Sequence, residues 1–90
     1  MKIAVSTSFK KDYKRLSNNE KIISAIDDAI FLLAKGESLP IKYKEHPLQG
    51  NWKGYSDCHI FPDIVLIFKR DLENDILKLA RIGNHIQVFG

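Results

Sequence analysis

Residues 55–83 read YSDCHIFPDIVLIFKRDLENDILKLARIG, and the fold follows from how this stretch divides. Tyr55 to Phe61 and the apolar run Ile64 to Lys69 are separated only by Pro62 and Asp63. Leu72 to Asp75 then parts the second run from a third, in which Ile76, Leu77, Leu79, Ala80 and Ile82 supply the apolar positions before Gly83. Short segments divided by Pro, Asp, Asn and Gly are strands joined by turns, and strands so closely spaced favour antiparallel pairing. The run Ile64 to Phe68 is apolar on both parities, as a strand buried on both faces requires, so it belongs at the centre of the sheet. Just ahead of Tyr55, Trp52 to Gly54 reads as a further short strand.

Toward the N-terminus, Glu37 to Gly50 is punctuated by Pro40, Pro47 and Gly50 and reads as a loop that includes Tyr43 and His46. Before it, Ile22, Ile26, Ala29, Ile30 and Leu33 form the apolar stripe of a helix ending before Gly36. Ser17-Asn18-Asn19-Glu20 matches a capping box at its start. Phe9, Tyr13 and Leu16 mark a shorter helix capped by Ser8, with Lys10, Lys11, Lys14 and Arg15 outside. The almost linkerless junction predicts an antiparallel helical hairpin lying on the sheet. Ile3, Val5 and Thr7, alternating with Ala4 and Ser6, predict a first strand with one buried face.

Ninety residues, 44% of them apolar, suit one compact domain over 1–90 with a small core, and the 28% charged fraction with few prolines and glycines is that of a folding chain rather than a disordered one. A single cysteine, Cys58, rules out an internal disulfide, and Met1 to Val5 is too short an apolar stretch for a secretory signal. The longest apolar run covers five residues, against the roughly 20 that a membrane span needs. A reducing cytoplasm and no membrane are the expectation. The net charge of +3 arises wholly in residues 1–45, mainly from the first helix, and permits contact with nucleic acid or with an acidic protein partner.

The side chains suited to chemistry lie in the second half. His46, His59 and His85 sit near turns or strand ends, and imidazole accepts and donates protons near neutral pH, so a converging set suits general acid and base work. Asp57, His59, Phe61 and Asp63 share one face of a regular strand, with Cys58 and Ile60 on the other, although Pro62 stands where a rotation of Asp63 would begin. An aspartate beside a histidine can fix its tautomer, and one facing a nucleophile can itself remove a proton. His85 and Phe89, four apart, point the same way whether helical or extended. Phe89 suits stacking of a single-stranded RNA base, or else plugs the core edge. Arg81 alternates away from Ile76, Ala80 and Ile82, where it either meets phosphate or is a surface arginine. No zinc-type His or Cys spacing and no phosphate-cradling glycine loop is present, and Cys58 points away from its neighbour His59.

His46-Pro47-Leu48, Gly50-x-Trp52-Lys53-Gly54-Tyr55, Asp57-x-His59, Pro62-Asp63, Arg81-x-Gly83-x-His85 and Phe89 together resemble YafQ-type toxins of the RelE/ParE superfamily, part of type II toxin-antitoxin systems. The resemblance spans nearly the whole chain. It implies an α+β fold in the order β-α-α-β-β-β-β, an antiparallel sheet packed by the N-terminal helical hairpin, with a short C-terminal helical segment. It further implies a cytoplasmic, ribosome-dependent endoribonuclease that enters the ribosomal A site and cuts messenger RNA there. Such an enzyme needs no cofactor or metal and is held inactive in a hetero-oligomer with a cognate antitoxin.

Carried onto this chain, the implied catalytic residues are His46, His59, Asp63 and His85, with Asp57, Arg81, Phe89 and Lys53 toward the RNA. The implied chemistry is attack of the ribose 2′-OH on the adjacent phosphate. His85 serves as acid, Asp63 or His59 as base, and His46 with Arg81 steadies the phosphorane, while Asp57 orients a histidine or the RNA. A ParE-type toxin that binds a target such as DNA gyrase without cutting RNA is the competing expectation, and such a protein does not need this histidine set.

Overall fold

Strand β4 (Ile64–Asp71) is the middle member of a five-stranded sheet, and its first five residues are all buried. The computed structural model describes residues 1–90. In chain order the elements are β1 (Lys2–Val5), α1 (Thr7–Leu16), α2 (Glu20–Ala34), β2 (His46–Pro47), β3 (Ser56–Phe61), β4, β5 (Ile76–Gly83) and α3 (His85–Phe89). The strands lie in the order β1-β5-β4-β3-β2. Pairing is antiparallel from β2 through β5, as tight turns dictate. β1 is the exception and runs parallel to β5, Lys2 opposite Ile76, because the helical pair carries the chain to the far edge of the sheet before β2 begins. No helix is long and apolar enough to cross a membrane.

The local boundaries follow side-chain hydrogen bonds. Ser6, rather than Ser8, caps α1: its Oγ accepts from the Phe9 N–H and donates to the Ala80 carbonyl, tying the cap to the sheet. Ser17 does not cap α2, because its hydroxyl turns back to donate to the Lys14 carbonyl; Asn19 takes that role through the Ile22 N–H. The Glu37 to Gly50 loop contains a single 3₁₀ turn at Ile41–Tyr43 and the two-residue β2. Gly50–Trp52 is a second 3₁₀ turn where a short strand was expected; Gly50 and Gly54 hold φ of +65° and +94°, conformations a strand does not contain. β1 is exposed on both faces, Ile3 at 50% and Val5 at 39%, because it is an edge strand with little laid over it.

The main core lies between the helices and one face of the sheet, with Phe9, Ile26, Ala29 and Leu33 meeting Leu66, Phe68, Leu77, Leu79 and Ile82. A smaller cluster of Val65, Ile67, Ala80 and Val88 occupies the opposite face, flanked by Leu48, Trp52 and Tyr55. Two irregularities break the simple alternation. In β5 the register slips between Ile67 and Phe68 of β4, so Ala80 is an extra residue, and Ile82 joins Leu77 and Leu79 in the main core. In β3 the slip falls between His59 and Phe61, and Phe61 packs toward the main core instead of following Asp57 and His59.

Candidate active site

The smaller face of the sheet carries the histidines. His46 on β2 stands directly opposite Asp57 on β3, and His59, two residues on, shares the Asp57 face because its register partner is Val65 of the smaller cluster. His85 opens α3. The three imidazoles form a row: the His46 and His59 ring centroids are 6.4 Å apart, and those of His59 and His85 are 6.2 Å apart. Phe89 continues the row at 5.1 Å from the His85 ring. Four residues distant in sequence are thus aligned by one strand pair and one short helix.

Each end of the row has its own support. Asn84 caps α3 through a reciprocal box: its side chain accepts from the Gln87 N–H at 2.8 Å, and the Gln87 side chain accepts from the Asn84 N–H at 2.9 Å. Val88 anchors the helix in the smaller cluster, which turns His85 and Phe89, one helical turn apart, outward together. At the other end Asp57 is buried, 2% exposed, with Oδ1 3.0 Å from His46 Nδ1. That nitrogen lies equally close to the Lys44 carbonyl, at 3.0 Å and in hydrogen-bonding alignment, so Asp57 Oδ1 meets the ring as a neighbouring charge and has no hydrogen bond of its own. Burial pushes the Asp57 carboxyl up from its ordinary pKa, and His46, His59 and His85 each pull it back.

The remaining sequence candidates are placed differently. Asp63 sits on the exposed Pro62–Asp63 turn, past the register slip in β3. Of the two roles expected for Asp57, toward a histidine or toward RNA, its position favours the first: it is buried with Oδ1 3.0 Å from His46 Nδ1. Arg81 is engaged within the fold. Its Nε and Nη2 form a fork on Asp12 of α1, at 2.7 and 3.1 Å, and Asp12 also accepts from the Ile82 N–H. Asp12 fills the edge of β5 beyond the end of β1, so this arginine is bound to the fold before it meets any phosphate. Lys53 is exposed beside the Gly50–Trp52 turn. Cys58 is buried in the main core and its thiol is pushed up to about 12, mainly by burial, which leaves no thiolate for nucleophilic chemistry.

Sequence reasoning missed Asp12, a lone acidic residue amid the basic cluster of the first helix, and the neighbourhood of Lys42 and Lys44. Those lysines border His59 across the free edge of β3, a proximity no local pattern encodes. No group of three or more ligating side chains is close enough to share a metal ion, since the imidazoles are spread along a row.

Comparison with known proteins places this geometry. Residues 1–90 match the family model described as the bacterial toxin of type II toxin-antitoxin systems, YafQ. The mRNA interferase toxin YafQ of Escherichia coli K12 is 39% identical over 89 residues, covering 98% of this chain and 95% of that protein. The E. coli DinJ-YafQ complex superposes with a TM-score of 0.85 at 39% identity, covering 98% of this chain and 97% of that one. A metal-bound toxin from Helicobacter pylori superposes at 0.89 with 34% identity, covering 99% of both. The whole-length family match and the 39% identity show that this chain belongs to the YafQ family of type II toxin-antitoxin toxins.

Proposed function

We propose that this chain is an mRNA interferase: a single-domain cytoplasmic toxin that cuts messenger RNA in the ribosomal A site and is neutralised by a cognate antitoxin in a hetero-oligomer. The observation that carries the reading is the row His46, His59, His85 and Phe89. The E. coli relative's name supplies the activity class, and the DinJ-YafQ complex supplies the kind of partner.

Chemistry follows from the spacing. Cleavage by 2′-OH attack needs a base at the 2′-oxygen and an acid at the departing 5′-oxygen, in line through phosphorus, and two imidazoles with centroids 6.2 Å apart can flank one phosphoryl group. His59 then accepts the 2′-OH proton as the oxygen bonds to phosphorus. His85 donates a proton to the 5′-oxygen as the P–O bond breaks, leaving a 2′,3′-cyclic phosphate and a 5′-OH. His46, held against the buried Asp57, steadies the negative charge on the phosphorane. Phe89 stacks a base beside the acid. Asp63, exposed on the turn beside this strand end, is the other candidate base, and Asp63→Asn set against His59→Ala separates the two.

The test uses messenger bound in programmed ribosomes with a single 2′-deoxynucleotide on the 5′ side of the cut. The proposal predicts full protection at that position alone. Cleavage through the deoxy position would overturn this chemistry.

A further inference from the structure

Beyond the histidine row, a pair of cavities that share lining residues runs along the outer edge of β3. β2 covers only Ser56 and Asp57, so the strand from Cys58 onward has no partner on that side. The first cavity, about 250 Å³, lies between α2 and the Ile41–Tyr43 turn and is bordered by Asp28, Lys42, Tyr43, His59 and Phe61. The second, about 170 Å³, shares Lys42, His59 and Phe61 and adds Lys44. His59 therefore belongs both to the row and to both cavities.

The lining has the composition that holds one nucleotide. Lys42 and Lys44 are exposed cations with no carboxylate paired to them. They flank a space bounded by the partly exposed ring of Phe61, whose face accepts a base, while Tyr43 is buried in the main core with Lys42 Nζ 5.4 Å over its ring. Asp28 closes the far end with a carboxylate, which accepts N–H groups from a base edge and repels phosphate, so a nucleotide can enter in one orientation only. The unpaired backbone of β3 offers further donors and acceptors along the same wall.

We propose that these cavities form a binding subsite for the nucleotide adjoining the scissile phosphate. Lys42 and Lys44 hold its phosphate, and its base lies against Phe61 with an N–H edge on Asp28. This rests on the histidine row being the ribonuclease centre. It adds to that reading a place where base preference is set, whereas phosphate contacts elsewhere carry position alone.

Three surface variants test it on ribosome-bound messenger. The double variant Lys42→Gln with Lys44→Gln keeps both stems and removes both charges, and Lys21→Gln on the remote part of α2 serves as the charge control. The double variant is expected to raise KM by about tenfold with kcat nearly unchanged, in keeping with two phosphate contacts, while the control changes neither. Asp28→Asn is expected to alter the base distribution at one position next to the cut, read by sequencing new 5′ ends. Wild-type cutting matched by the variants in KM and base distribution would overturn the subsite and leave the ribonuclease reading standing. No cutting by the wild-type protein would remove both.

Discussion

His46 and Asp57 face each other across the β2–β3 ladder, and the buried carboxylate is the least comfortable group in the molecule. Its folded pKa lies above its unfolded value, so the associated stability is present in acid and is lost as pH rises through the folded pKa. Asp57→Asn, which does not ionise, is therefore expected to grow more stable relative to wild type as pH rises above the ordinary carboxylate range, followed by thermal melts, while its cleavage rate falls because His46 loses its negative neighbour. A wild-type protein that instead overtakes the variant as pH rises would mean that attraction to the histidines outweighs burial. Cys58, pushed up to about 12, is expected to resist alkylation by iodoacetamide at pH 8 in the folded protein and to react once unfolded. Much of this neighbourhood was legible: alternation alone put Asp57 with His59 and Cys58 opposite. It failed at Phe61, because a register slip between strands leaves no mark in the composition of either one, whereas Pro62 marked the end of the alternation before Asp63.

Helix α3 has only five residues and relies on its cap. Asn84→Ala is expected to cost about 1 kcal/mol locally, to change the global melt little, and to reduce cleavage by releasing His85 and Phe89 together. A Cβ at Gly83 would lie 2.6 Å from Gln87 Oε1, so Gly83→Ala is expected to break the same box and give the same phenotype. Hydrogen exchange at the α3 amides checks both. Asp12 joins α1 to β5 through Arg81 and the Ile82 N–H. Asp12→Ala is expected to destabilise by roughly 3 kcal/mol, the low end for a broken buried pair because the guanidinium is a quarter exposed. In a chain of this size that lowers Tm by more than about 10 °C, which calorimetry reads directly. Sequence patterns located α1, α2 and β3 to β5 through their apolar periods. They could not locate Asp12, since an edge amide needing an acceptor exists only after the sheet has formed, and they misread Gly50–Trp52 because an aromatic between glycines fits a strand or a turn equally.

The fold sorts its chemistry by face. The helices cover the main core, and the opposite side of the sheet, closed only by α3 and the Gly50–Trp52 turn, presents the histidine row. The excess positive charge of the first half lies chiefly on α1, away from that row in sequence, where it suits sequence-independent contact with ribosomal RNA and leaves codon choice to the site itself. The strand order was readable as far as the antiparallel run; the parallel docking of β1 on β5 was not, because pairing of the two chain ends is decided by the path of the helices between them. Convergence of three histidines separated by up to 39 positions was likewise beyond spacing arguments and came from the resemblance to the family. The central claim is that these imidazoles cut messenger RNA on the ribosome. Primer extension on messenger in a translating extract, with wild-type protein, with His85→Ala, and with ribosomes omitted, tests it most directly. The account predicts new in-frame 5′ ends with wild-type protein and ribosomes only; uncut messenger alongside arrested translation, or equal cutting by His85→Ala, would contradict it.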